Sequence, residues 1–421
     1  MNKKTSFLKK VVNLFSILGP GLITGASDDD PSGIATYSQA GAEFGFATLW
    51  TALITFPLMA SIQGICARIG IVTSQGLAKT LKAHYPKPFL YLVILLSFPA
   101  IVLNIGADIQ GMGAVTHLLF PAIPSFLFSL LFTLVLLIII IKYSYQKVAL
   151  ILKWLCLILL SYLIVPFLVK PDWMTVSKST LIPTIHLNKE FFSILVAILG
   201  TTISPYLFFW QATMEAEDRA HQKKTLVIDK TILGNMAADV NWGMFLSNLI
   251  MYFIILTAGA VLYKAGIKHI DTVDQAAKAL EPLAGRLSYL LFALGVIGTG
   301  CLAIPVLAGS LSYMISESFD FRAGLDKKFN EARPFYFTII ISVVIGLGME
   351  FLGVSPIDAL LYTAILYGMT APVMIALVLH IGNNKKIMGE FTNSRLSNFL
   401  GFTTLALMSF AAIALIYLQF R

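Results

Sequence analysis

The sequence predicts an all-α membrane protein of about eleven transmembrane helices, ten of them in two inverted five-helix repeats, with helices one and six broken at mid-span. Three observations predict it. Apolar runs of roughly 20 residues, the length needed to cross a bilayer, recur along the whole chain, "FLFSLLFTLVLLIIIIKY" and "WLCLILLSYLIVPFLV" among them. Lysine and arginine alternate between rich and poor connecting segments. Two of the apolar runs carry glycine, proline and polar residues at their centres.

Of the 421 residues, 57% are hydrophobic and only 12% charged, where a soluble globular chain carries about 25% charged residues. The polar connections are too short for a soluble domain, so one membrane domain over 1–421 is expected. The spans are read at 13–41, 46–72, 88–116, 124–142 and 147–169 for the first repeat, and at 190–216, 232–262, 287–317, 334–352 and 356–381 for the second. An additional helix follows at 397–419. With the N-terminus in the cytoplasm, alternation puts 22 of the 30 Lys and Arg on the inner side, from Lys3, Lys4, Lys9 and Lys10 through Lys147, Lys153, Lys223 and Lys224 to Arg395. The positive-inside rule thus supports all eleven spans together. It predicts a multi-pass protein of the cell membrane with its C-terminus outside.

The formal charge of +8 is thereby topogenic, and no nucleic-acid partner is expected. Cys66, Cys156 and Cys301 are dispersed in apolar runs and read as packing residues. The start, "MNKKTSFLKKVVNLFSILGPGLITGAS", has the layout of a secretory signal. The Gly-Pro-Gly in its apolar stretch and the spans that follow favour an uncleaved first helix. Between spans seven and eight, Val273, Ala276, Ala277, Leu280 and Leu283 are spaced as in a short amphipathic surface helix over 271–285.

The first span is interrupted by Gly19-Pro20-Gly21, Gly25 and then Asp28-Asp29-Asp30-Pro31-Ser32-Gly33. The sixth carries Gly200, Thr201, Thr202, Ser204 and Pro205 at its middle. Proline removes a backbone donor and clashes with the previous turn, and the freed carbonyls are tolerated in a membrane only where they line a protein cavity. The two prolines lie five spans apart, so the repeats have opposite orientation. Broken helices at matching positions of two halves mark an inverted-repeat transporter with its site at the breaks.

The aspartates say what binds there. One Asp at the bilayer centre costs about 2.5–3.5 kcal/mol, so Asp28, Asp29 and Asp30 cannot face lipid. On an intact helix they would fan out at about 100° each; unwinding lets one or two converge while another faces water. Carboxylates so close repel and take up protons unless a cation neutralises them. Oxygen ligands suit hard ions such as Mg²⁺, Ca²⁺ or Mn²⁺. The segment also approaches an EF-hand loop, but Gln39 replaces the bidentate glutamate and Pro31 sits inside the loop.

The stretch "GPGLITGASDDDPSGIATYSQAGAEFGFATLW" resembles the first helix of the natural resistance-associated macrophage protein (Nramp) family, proton-linked divalent-metal transporters with the LeuT fold. The family pattern of Gly-Pro-Gly, Asp-Pro-Gly-Asn and Gln-Ala-Gly stands here as Gly19-Pro20-Gly21, Asp30-Pro31-Ser32-Gly33 and Gln39-Ala40-Gly41. Span order and spacing are similar over the whole chain. The resemblance implies Asp30 as the metal-binding carboxylate and backbone carbonyls from Ser27 and Thr201. Three positions depart from it: Gly33 replaces the family's asparagine ligand, Ser204 its methionine, and Tyr206 its proton-route histidine. On the third span the family's Asp-x-x-Glu pair aligns with Ala107 and Gln110, with Asp108 nearby.

A hydroxyl in place of a thioether makes the centre harder, so a harder ion such as Mg²⁺ joins the Mn²⁺/Fe²⁺ expectation. Losing the histidine and glutamate leaves proton coupling open. Asp28 and Asp29 are expected to supply field or a proton site. Asp108, an intramembrane acid, is either a proton relay or outer support on one side, or structurally bonded to Asn104 or a neighbouring helix on the other. Gln211, two helical turns beyond Ser204, is a candidate for the permeation path. Asp239 and Asn241 read as near-interface polar residues. The cargo is a divalent metal, with protons as possible co-ions; no resident cofactor and a monomeric state are expected. The alternative is a LeuT-fold carrier of a small organic solute such as an amino acid, against which three aspartates at one break argue. No GxGD or HExxH motif supports an intramembrane enzyme.

Overall fold

The computed structural model describes residues 19–143, 157–221 and 229–420. Among these residues there are helices and connections but no strand. The first span is two helices, α1 (Pro20–Asp28) and α2 (Pro31–Phe44). Next come α3 (Trp50–Thr73), α4 (Leu77–His84), α5 (Lys87–Leu119) and α6 (Ser125–Lys142), then α7 (Ser161–Val169) and α8 (Trp173–Leu181). The sixth span is again two helices, α9 (Lys189–Thr202) and α10 (Pro205–His221). The rest is α11 (Lys230–Ala258), α12 (Val273–Ala277), α13 (Glu281–Ala284), α14 (Ser288–Ser318), α15 (Arg333–Leu347), α16 (Pro356–Asn383), α17 (Lys385–Met388) and α18 (Arg395–Gln419).

Among the described residues, nine helical segments are long and apolar enough to cross a membrane. The first span is absent from that set because Asp28, Asp29 and Asp30 make it too charged, and the fifth because it is described only from residue 157 onward. Residues 13–18 and 147–156, Cys156, and Lys3, Lys4, Lys9, Lys10, Lys147, Lys153, Lys223 and Lys224 lie outside the described residues. The outward faces are apolar: α6 exposes Leu127, Leu131, Leu134 and Ile138, and α18 exposes Phe399, Phe402, Phe410 and Ile413. Such a surface suits lipid, since a soluble protein rarely exposes apolar patches of that extent.

The segment 271–285 departs from the single helix expected. Pro282 restarts the helix as α13, and Gly285 ends it with φ 51°. Its apolar side does turn inward, with Ala276, Ala277 and Leu280 buried and α12 packed on α5 and α14.

Both breaks are built by one local device. The residue before proline is pushed out of the helical region. Asp30 is accordingly extended (φ −72°, ψ 173°) and caps α2, with Pro31 in its first turn. The previous residue, Asp29, has already left α1 at φ −82°, ψ 56°. At the sixth span Ile203 leaves α9 at φ −116°, ψ 57°, and Ser204 precedes Pro205, which opens α10.

Close helix contacts hold these half-helices. Gly25 of α1 lies so near α11 that a Cβ there would overlap the Gly243 backbone. Gly200 of α9 meets Ala364 and Gly368 of α16 in the same way. Both contacts require glycine because backbone meets backbone.

Candidate functional site

The three aspartates of the first break diverge. All are buried, at 1%, 1% and 2% exposure for Asp28, Asp29 and Asp30. The expectation that one would face water is therefore corrected: tertiary packing closes over the break on every side. Asp30 turns toward α5 and α16. Its Oδ1 accepts the Ser32 hydroxyl at 2.7 Å and the Gly33 amide at 2.8 Å, and its Oδ2 accepts the Asn104 amide at 2.9 Å. Asn104 Oδ1 in turn accepts the Thr363 hydroxyl at 3.0 Å.

Asp28 and Asp29 turn instead to α11. The Ser247 hydroxyl lies 2.7 Å from Asp28 Oδ2 and 3.3 Å from Asp29 Oδ1. One hydroxyl proton cannot serve both, and Asp28 Oδ1 and Asp29 Oδ2 have no hydrogen-bond partner. The single run of acids in the sequence thus makes two polar compartments on opposite sides of the break.

The carbonyls singled out at the breaks do come together, each already engaged by a hydroxyl. The Tyr206 hydroxyl of α10 donates to the Ser27 carbonyl at 3.1 Å. The Ser204 hydroxyl lies 2.6 Å from the Thr201 carbonyl and 3.0 Å from that of Gly200. Tyr37 of α2 meets Thr202 of α9, hydroxyl to hydroxyl, at 3.2 Å. Gly33 faces the same junction: a Cβ on it would lie 3.3 Å from Thr201 Oγ1 and 3.5 Å from the Asp28 carbonyl. Asp30, Ser27, Gly33, Thr201, Ser204 and Tyr206 therefore share one junction between the two broken helices.

Other candidates fall elsewhere. Asp108 is fully buried beside Asp30, and the Asn104 amide goes to Asp30 and not to Asp108. Gln110 points away, donating to the Val354 carbonyl at 3.0 Å. Gln211 is buried and ties α10 to α1: it accepts from Thr24 at 2.6 Å and donates to Glu215 at 2.9 Å. Asp239, read as a near-interface polar residue, also serves as a cap. Its carboxylate accepts the Gly21 amide at 2.7 Å at the start of α1, where an anion meets both orphan amides and the positive end of the helix dipole.

Sequence reasoning missed Ser247 and the role of Asp239. A signal existed, because Asp239, Gly243 and Ser247 recur every fourth residue and so share one face of α11. Among the described residues, no cluster of three or more His, Cys, Asp or Glu side chains is disposed to hold a metal. The donors at the junction are a mixed set of carboxylate, carbonyl and hydroxyl oxygens, the kind hard cations take.

Two broken helices meeting at a buried carboxylate, in a bundle with an apolar outer surface, define a membrane transporter with the LeuT-like fold. The family model described as natural resistance-associated macrophage protein-like matches residues 21–418, and the chain belongs to that family. It is 26% identical over 409 residues to the divalent metal cation transporter MntH of Caldanaerobacter subterraneus, covering 96% of this chain and 93% of that one. It is also 26% identical over 430 residues to MntH of Clostridium acetobutylicum, covering 100% and 95%. In structure it is similar to the manganese transporter of Eremococcus coleocola, with TM-score 0.72 and 20% identity over 94% of this chain and 85% of the other.

Proposed function

We propose that this protein is a secondary transporter that carries a divalent metal cation across the cell membrane by alternating access. What supports this most is Asp30, a buried carboxylate at the junction of two broken helices whose partners, Ser32, Gly33 and Asn104, are all neutral. A buried charge needs a counter-charge, and a cation entering the junction supplies it. Similarity to transporters named for divalent metal cations supports the same substrate class.

Asp30 ligates the ion, with carbonyls from Ser27 and Thr201 and the hydroxyl of Ser204. Those carbonyls become available when the Tyr206 and Ser204 hydroxyls rotate away. Gly33 leaves room beside Thr201. The oxygen set favours a harder ion such as Mg²⁺ alongside Mn²⁺. Asp28 and Asp29 add negative field from the α11 side. Neither Tyr206 nor Gln110 takes up a proton near neutral pH, so little proton co-entry is expected through these two positions, and Asp28, Asp29 and Asp108 are the remaining proton sites. The metal is cargo; the protein acts as a monomeric carrier without a resident cofactor and without catalysis. Its N-terminus is cytoplasmic and its C-terminus outside, following the lysine and arginine distribution.

Uptake into proteoliposomes tests this. Mn²⁺ or Mg²⁺ influx is expected, and Asp30→Ala abolishes it. Amino-acid flux without metal flux overturns the proposal in favour of an organic-solute carrier. A pH dye inside the same vesicles tests coupling, where robust acidification with metal entry overturns the uncoupled reading.

A further inference from the structure

Asp108 is fully buried; the Ser32 amide approaches it, but neither carboxylate oxygen has a hydrogen bond of full geometry. Such a group is costly unless something occupies it. It stands four residues after Asn104 on α5, and side chains at that spacing share a helix face. Asn104 fixes where that face looks, because its amide reaches Asp30 Oδ2 at 2.9 Å. Asp108 therefore looks at the same break, with Asp30 and the Ser32 amide as its electrostatic neighbours. Gln110, about 200° farther round the helix, points to Val354.

The lone pairs of Asp30 show why a second donor is needed. A carboxylate offers about four acceptor positions. Asp30 already uses two on Oδ1 and one on Oδ2. What remains cannot hold a divalent cation, which takes six or more oxygens. The Tyr206 and Tyr367 phenols lie in the field of both Asp30 and Asp108, with ring centroids 5.6 Å apart. The Tyr367 hydroxyl is buried, with the Asn104 side chain beside it.

We propose that Asp108 is a direct ligand of the transported cation, closing on it from α5 opposite Asp30. The centre then presents two carboxylates from different helices together with hydroxyl and carbonyl oxygens, and selects small hard divalent ions over soft ones. This rests on the metal-transport function proposed above, and it adds a ligand and a basis for selectivity.

The test is equilibrium binding of Mn²⁺ to the purified full-length protein, read as free Mn²⁺ by electron paramagnetic resonance, with Mg²⁺ as competitor. Loss of an outer partner costs about 10–100-fold in metal affinity, and Asn104→Ala is expected within that range. Asp108→Asn is expected to lose more than about 100-fold and to lose its Mg²⁺ competition, with its melting temperature unlowered. Asp108→Cys supplies a readout independent of that affinity loss. A direct ligand position gives it tight Cd²⁺ binding with an ultraviolet thiolate-to-metal band, which an indirect role would not produce. Wild-type Mn²⁺ binding, with a smaller Asp108→Asn loss or no Cd²⁺ band, overturns the ligand assignment alone. Absence of Mn²⁺ binding by the wild-type protein overturns the metal-transport function and this assignment together.

Discussion

The breaks in the first and sixth spans use the same backbone device and opposite chemistry. Each is a polar residue followed by proline, Asp30-Pro31 in one and Ser204-Pro205 in the other. At the sixth break the freed carbonyls are served locally, Thr201 and Gly200 by the hydroxyl of Ser204. At the first break the side chains are acids. Asp30 has local donors in Ser32 and Gly33 and a distant one in Asn104 on α5, while Asp28 and Asp29 depend on Ser247 of α11. Side-chain hydrogen bonding of the freed carbonyls at the sixth break is therefore local, whereas that of the acids at the first is completed only by helices packed around it. Placing the charged break under tertiary control makes its electrostatics sensitive to helix positions, which is what alternating access requires of a cation site.

The largest effect on this contrast is expected where the first break is clamped. Gly25→Leu forces α1 away from Gly243 and is expected to cost about 3 kcal/mol or more, seen as a large drop in melting temperature and loss of uptake. Next is Ser247→Ala. It leaves Asp28 and Asp29 buried without their hydroxyl, at about 1–3 kcal/mol, whereas Ser204→Ala at the other break is expected to cost only about 0.5–1.5 kcal/mol. Equal losses in thermal melts would erase the distinction between the breaks. Asp239→Ala removes the anion at the start of α1 and is expected to cost about 1 kcal/mol; a cysteine placed on α1 should then react faster with a thiol reagent. A similarly small effect is expected from Tyr206→Phe, about 0.5–1.5 kcal/mol, with metal selectivity unchanged.

Much of this was legible in the residues themselves. Proline with polar neighbours inside an apolar run announces where the two helices break, and lysine and arginine spacing orders the spans. The apolar runs match α3, α5, α6, α11, α14, α15, α16 and α18 closely. Asp30 was singled out by the resemblance of Asp30-Pro31-Ser32-Gly33 to the family pattern, and the structure adds that it caps α2. The surroundings of Gln110 were not legible. Its alignment within α5 says nothing about which neighbour that face meets, and its amide donates to the Val354 carbonyl. The partner of Asp239 was hidden likewise, since it is an amide 218 residues away.

The sequence alone thus determined the membrane class and the two breaks, because these depend on hydrophobic length and proline sterics over a few residues. Only the tertiary structure decided how the three consecutive aspartates divide, with Asp28 and Asp29 toward Ser247 and Asp30 toward Asn104. Those partners lie in distant parts of the chain, and a buried carboxylate turns to whichever donors the packed helices bring within hydrogen-bond reach.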